Sequence, residues 1–250
     1  MGRAASVLSR RVVAFVALAA ALGVYYATHE SWFSLTLWRD LAWLAFVLIP
    51  AVFALVWFAL PLRARPLPQL LVVAVACGVA AVLLEWAGAG ILANFAKLAT
   101  MTFVGWSFLW LFEELSWVVL VACIIPWVDA YSVFRGPTKE ITQHHEHVFF
   151  TLSFEFPVPG SNGAARLGLP DLLFFALFLG AAARWQLRTG WTWLCLTASI
   201  GGTMTLATWL DVDGLPALPL LAVGFLLPNA DLLWHAVRGR AATGHPRSQR

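Results

Sequence analysis

The stretch Leu167–Gly180, LGLPDLLFFALFLG, sets one carboxylate, Asp171, directly behind Pro170 at the head of an otherwise apolar run. Such a run belongs in lipid, where an acid costs at least about 2.5 kcal/mol on insertion scales and therefore faces a bundle interior or a watery cavity. The run is short, and its helix is expected to continue through Arg184 and Trp185 toward the interface. The whole chain shares this character: 61% of its 250 residues are hydrophobic and 12% are charged. That is the composition of an integral membrane protein, not of a soluble domain.

Apolar runs at Val12–Thr28, Leu41–Leu62, Leu70–Gly90, Ile91–Phe112, Ser116–Phe134, Asp171–Ala183, Trp191–Leu210 and Ala217–Val237 predict an all-α polytopic membrane protein with about eight transmembrane helices. Only Gly88–Ala89–Gly90 separates the third run from the fourth. The first run follows Arg10–Arg11, but its flank, Tyr25–Glu30, is a poor cleavage site, so an uncleaved helix is expected. Many of the fourteen tryptophans close runs, as an interfacial belt requires. Cys77, Cys123 and Cys195 lie inside runs without ligand spacing and read as buried small hydrophobes. Neither a metal nor another cofactor is predicted. Residues 1–113 form an N-terminal set of about four helices, 114–237 a second half, and 238–250 a polar tail.

Arginines flank alternate ends of these runs: Arg3, Arg10 and Arg11 before the first, Arg63 and Arg65 after the second, Arg184 and Arg188 after the sixth, and Arg238, Arg240, Arg247 and Arg250 at the close. The positive-inside rule then places both termini in the cytoplasm, in a plasma (inner) membrane, with the segment Arg135–Leu167 on the far side. Arg135, Lys139 and Arg166 in that segment run against the rule. The basic balance reflects orientation and gives no sign of nucleic-acid binding.

The helix before that segment also carries one acid, Asp129, five residues before Phe134. Consecutive helices run antiparallel, so Asp129 and Asp171 are expected at similar depth near the loop side, able to face each other. The alternative for each acid is a local hydrogen bond or a helix cap, and Pro170–Asp171 suits a helix start. Pro216 and Pro219, three residues apart at the start of the last run, cannot both sit inside a regular helix. Non-helical backbone at membrane depth lines a cavity or is buried in protein.

Within the long loop, Phe150, Leu152, Phe154, Phe156 and Val158 alternate with Thr151, Ser153, Glu155 and Pro157, a strand signal. Two readings stand: an edge on which an extended substrate pairs, through Phe150, Leu152, Phe154 and Phe156, or a small amphipathic hairpin on the membrane surface. His144–His145–Glu146–His147 lacks metalloprotease spacing and reads as a solvated polar loop.

Together these residues resemble the intramembrane aspartyl proteases, the presenilin and signal peptide peptidase family. That family carries Tyr-Asp in one helix, Gly-x-Gly-Asp at the start of the next and Pro-Ala-Leu before the last. The counterparts here are Val128–Asp129 with Tyr131 close by, Gly168–Leu169–Pro170–Asp171, and Pro216–Ala217–Leu218. Val128 stands where the family has tyrosine, and Pro170 where it has the glycine next to the aspartate. The resemblance covers Glu114 to Val237 and implies a presenilin-like helical bundle, with a short β-hairpin possible between the aspartate helices. It implies Asp129 and Asp171 as catalytic residues, supported by Tyr131, Gly168, Leu169, Pro170, Pro216, Ala217 and Leu218, and transmembrane proteins or peptides as substrates within the lipid bilayer. Chemically, two close carboxylates cannot both ionise, so the pair shares one proton and can activate water. Two other readings use the same residues: a catalytically silent relative that binds membrane segments or partner proteins, favoured by Pro170, and a proton-coupled transporter relaying through Asp129 and Asp171, with Glu85 as a candidate third member.

Overall fold

A computed structural model describes residues 2–135, 152–212 and 215–243. It contains eight helical rods: α1 (Gly2–Thr28), α2 (Leu37–Ala64), α3 (Leu67–Trp86), α4 (Gly90–Leu109), α5 (Leu115–Arg135), α6 (Leu169–Arg184), α7 (Thr189–Leu210) and α8 (218–243). A hairpin of β1 (Ser153–Pro157) and β2 (Ala164–Gly168) stands between α5 and α6. Two rods are interrupted at prolines. In α2 a π-turn at Leu44–Leu48 precedes Pro50, whose missing N–H breaks the regular ladder, and α8 has a 3₁₀ turn at Leu227–Asn229 around Pro228. The turn between α3 and α4 falls at the expected glycines, with Gly88 at φ +73° and its N–H donating to Glu85 O.

Five rods are long and apolar enough to cross a membrane: α1 from Arg10, α2, α3, α5 and α8. The chain is therefore an integral, predominantly helical membrane protein. Bulky apolar side chains point outward from these rods, Phe46 at 81% and Trp127 at 79% exposure. The other three fall short for physical reasons. At about 1.5 Å per residue, the 16 residues of α6 reach only about 24 Å. Helix α4 buries Asn94, Thr102 and Ser107. Helix α7 is rich in Thr and Ser, whose hydroxyls donate to carbonyls one turn back, as Thr197 does to Trp193 O and Thr203 to Ser199 O. Hydropathy underrates such helices because those hydroxyls are already satisfied within them.

Helix α6 is the core of the bundle, with Leu172 and every residue from Phe175 to Ala182 buried. Phe175 packs on Phe53 of α2 with ring centroids 4.0 Å apart, and Phe178 stacks on Phe225 of α8 at 4.9 Å. Against α4 the approach is closer still. A Cβ added at Gly105 would lie 2.6 Å from Leu173 O, and one at Gly180 would lie 2.9 Å from Trp106 Cδ1. Trp106 itself is fully buried and donates from Nε1 to Ala176 O at 3.2 Å.

This contact yields a prediction. Gly105→Ala forces a Cβ onto backbone, so it should cost about 1–3 kcal/mol and lower the midpoint of thermal unfolding in detergent, read by tryptophan fluorescence. Gly90→Ala meets nothing within 4 Å and should leave that midpoint unchanged. Equal behaviour of the two variants would show that the α4–α6 approach is not what limits stability.

Candidate active site

Helix α5 ends, and helices α6 and α8 begin, at the hairpin end of the bundle. Strand β2 runs into α6 without a loop. Gly168 is the N-cap with extended backbone, Leu169 opens the helix, Pro170 is second and Asp171 third. The Leu169 N–H, which a helix start would leave unpaired, donates to Leu152 O across the hairpin. Pro170 sits where a missing N–H costs no helical bond. The Asp171 carboxylate turns back to the Gly168 backbone N–H. Its Oδ2 lies 3.2 Å from the place a Cβ on residue 168 would take, so any larger residue there would crowd the acid.

Asp129 lies three residues beyond Pro126, inside α5. That helix is largely lipid-facing and packs chiefly against α8. The Leu218 N–H, at the first residue of α8, donates to Asp129 Oδ2 at 3.1 Å. It is one of the donors a helix N-terminus leaves unpaired, and the helix dipole favours an anion there. Pro216 lies in the irregular segment before α8, Pro219 is its second residue, and Ala217 and Leu218 are buried. Asp129 and Asp171, both partly buried, are within electrostatic reach of each other. The structure thus brings together Asp129, Asp171, Gly168, Leu169, Pro170, Ala217 and Leu218 from three separate helix ends.

Tyr131 does not join them. Two residues along a helix turn a side chain by about 200°, and its ring is 66% exposed. The substrate-pairing reading of the alternating stretch also needs correction. Phe150 and the His144–His147 cluster lie outside the described residues, and Leu152 is exposed. Phe154 and Phe156 are fully buried, Phe154 against Phe95 of α4. The ladder pairs β1 with β2 in the register Phe154↔Leu167 and Phe156↔Ala165, with Val158 N–H donating to Gly163 O, which turns the backbone of Glu155 and Pro157 to the other edge. That edge is occupied. Asn94 Oδ1 accepts from Glu155 N–H and Asn94 Nδ2 donates to Glu155 O, both at 2.9 Å. Tyr26 donates to Glu155 O and Tyr25 to Pro157 O, each at 2.8 Å, and Pro157 has no N–H to offer. Alternation here encodes burial against α4, not an open edge.

Asn94, Tyr25 and Tyr26 are the residues that sequence reading missed, and their only signal was polarity within apolar runs. Among the described residues no cluster of His, Cys, Asp or Glu is arranged to hold a metal ion. Glu85 is held by Lys97 at 3.2 Å. No protein-family model matches the chain, and no curated protein is similar to it in sequence.

Replacing Asn94 by Ala leaves the Glu155 N–H without its acceptor, a loss of about 1–3 kcal/mol. Hydrogen exchange at Glu155 should accelerate accordingly while amides in α6 keep their protection. Unchanged exchange at Glu155 would show that Asn94 does not hold β1.

Proposed function

We propose that this chain is an intramembrane-cleaving aspartic endopeptidase that hydrolyses peptide bonds of transmembrane segments, similar in kind to signal peptide peptidase and presenilin. The observation that carries this reading is the placement of Asp129 and Asp171 at one end of the bundle, within electrostatic reach of each other, with the backbone N–H of Leu218 on Asp129 and that of Gly168 facing Asp171. All eight helices cross the membrane in this reading, including the shielded α4, α6 and α7. Both termini are cytoplasmic, and the aspartates lie toward the far side of the plasma (inner) membrane.

The two carboxylates share a single proton, because like charges at short range cannot both ionise. The ionised member takes a proton from water as the water oxygen attacks the scissile carbonyl carbon, and the protonated member donates to the carbonyl oxygen. Collapse of the tetrahedral species breaks the C–N bond: the proton taken from water passes to the leaving amine, and the proton on the former carbonyl oxygen returns to the carboxylate that gave it, which restores the one-proton pair. The pair acts as a unit, so neither role belongs to one residue. A groove of about 190 Å³ between α3 and α4, whose lining includes Val82, Met101, Leu169 and the Glu85–Lys97 ion pair, opens beside the start of the Asp171 helix.

One observation favours this reading over a silent relative: Pro170, that relative's best support, sits second in its helix, where its ring costs no hydrogen bond.

The test is cleavage of a model transmembrane peptide by purified protein. The parent should cleave, and Asp129→Asn or Asp171→Asn should each abolish cleavage with the fold intact. A parent that binds the peptide without cutting it, or a folded single variant that still cuts, overturns the proposal. Pro170→Gly should leave turnover within about tenfold of the parent, since either residue is tolerated at a helix start. A rise of several orders of magnitude from a nearly inert parent would mean that Pro170 holds the carboxylates apart.

A further inference from the structure

At the end of the bundle opposite the hairpin, two arginines cross between helices. Arg63, in the 3₁₀ turn Leu60–Ala64 that ends α2, donates from Nη2 to Ala183 O at 2.8 Å. Arg184, the last residue of α6, donates from Nη1 to Leu109 O, the last residue of α4, at 2.7 Å. Its guanidinium carbon lies 4.7 Å from the centre of the Trp185 ring. The two guanidinium groups are near enough to feel each other's charge.

Capping explains part of this arrangement, because cations favour helix C-termini, where carbonyls are unpaired. It does not explain why two such charges are held together with no carboxylate between them. The ion pairs among the described residues are Lys97–Glu85, Arg166–Glu155 and Arg188–Asp231. Arg188, at the same end, is already spent, with both terminal nitrogens on Asp231 at 2.9 and 2.6 Å. Arg63 and Arg184 each donate to one backbone carbonyl, although a guanidinium carries five N–H donors in a planar fork that matches a phosphate group. Both stand at rod ends, and Trp185 beside them is a residue type that settles at headgroup level.

We propose that Arg63 and Arg184 form a binding site for the phosphate of an anionic phospholipid, which neutralises the pair and ties the ends of α2, α4 and α6 to the leaflet at that face. The site is independent of the chemistry proposed at the aspartates. Each basic residue at an anionic surface contributes roughly fivefold in affinity, so the pair should favour an anionic over a zwitterionic lipid by about 30-fold.

The test is native mass spectrometry of the full chain, delipidated in a neutral detergent and titrated with phosphatidylglycerol or phosphatidylcholine. Phosphatidylglycerol should be retained at much lower concentration. The double variant Arg63→Gln, Arg184→Gln should bind the two lipids alike, while Arg188→Gln keeps the preference. If the double glutamine variant does not fold, the single variants Arg63→Gln and Arg184→Gln decide: each removes one charge and should lower the preference about fivefold. Equal retention of both lipids by the parent, or an undiminished preference in the folded variants, overturns the proposal. Full displacement of phosphatidylglycerol by millimolar inorganic phosphate also overturns it, by making the site one for free phosphate.

Discussion

The rest of the molecule depends on how closely α4 and α6 approach. Two glycines, Gly105 and Gly180, remove the side chains that would hold the helices apart, and Trp106 fills the space beside Gly180 while its indole N–H satisfies Ala176 O. Small residues at a helix crossing let the two backbones approach closely and gain packing contacts that larger side chains would prevent. With this contact in place α6 becomes the axis, and α2 and α8 close on it through Phe53 and Phe225. The depth of Asp171 follows from where that axis begins.

The N-terminal half supplies the seat for the two aspartates. Tyr25 and Tyr26 from α1 and Asn94 from α4 hold the outer edge of β1. Strand β1 carries β2, and β2 becomes α6. The hairpin turn is itself tucked under the α1–α2 connection: Gly160, at φ +65°, donates to His29 O, and a Cβ there would lie 2.5 Å from Ser34 N. Helix α5, by contrast, has little burial of its own, and the bond from Leu218 to Asp129 is a polar tether between it and the core.

Much of this was legible because long apolar runs announce helices. The eight apolar runs correspond to eight rods, and the Gly88–Gly90 break is the observed turn. Asp129, Asp171 and the Pro216–Leu218 segment stood out because polar or helix-breaking residues are rare at such positions. What could not be read was side-chain direction and long-range partnership. Period-two alternation reports that one face of a strand is buried; it does not say what occupies the edge, so Phe154 and Phe156 were legible as strand residues but not as core. Tyr131 is near Asp129 in sequence, and only helical phase separates them. Asn94 meets Glu155 across 61 positions, and no local pattern connects an amide in one apolar run with a backbone group in a distant loop.

The direct passage of β2 into α6 has a consequence for how the chain can vary in length. A loop between a strand and a helix absorbs an added or lost residue, but none separates Gly168 from Leu169. One residue inserted between Ala164 and Asp171 would either exchange the two faces of β2 or rotate every later side chain of α6 by about 100° around its axis. The first outcome would turn Leu167 away from the core, and the second would carry Asp171 away from Asp129 and Gly180 away from Trp106. Spacing is therefore a property under constraint in its own right, and homologous chains that keep this architecture should tolerate substitution along the stretch far more readily than insertion or deletion.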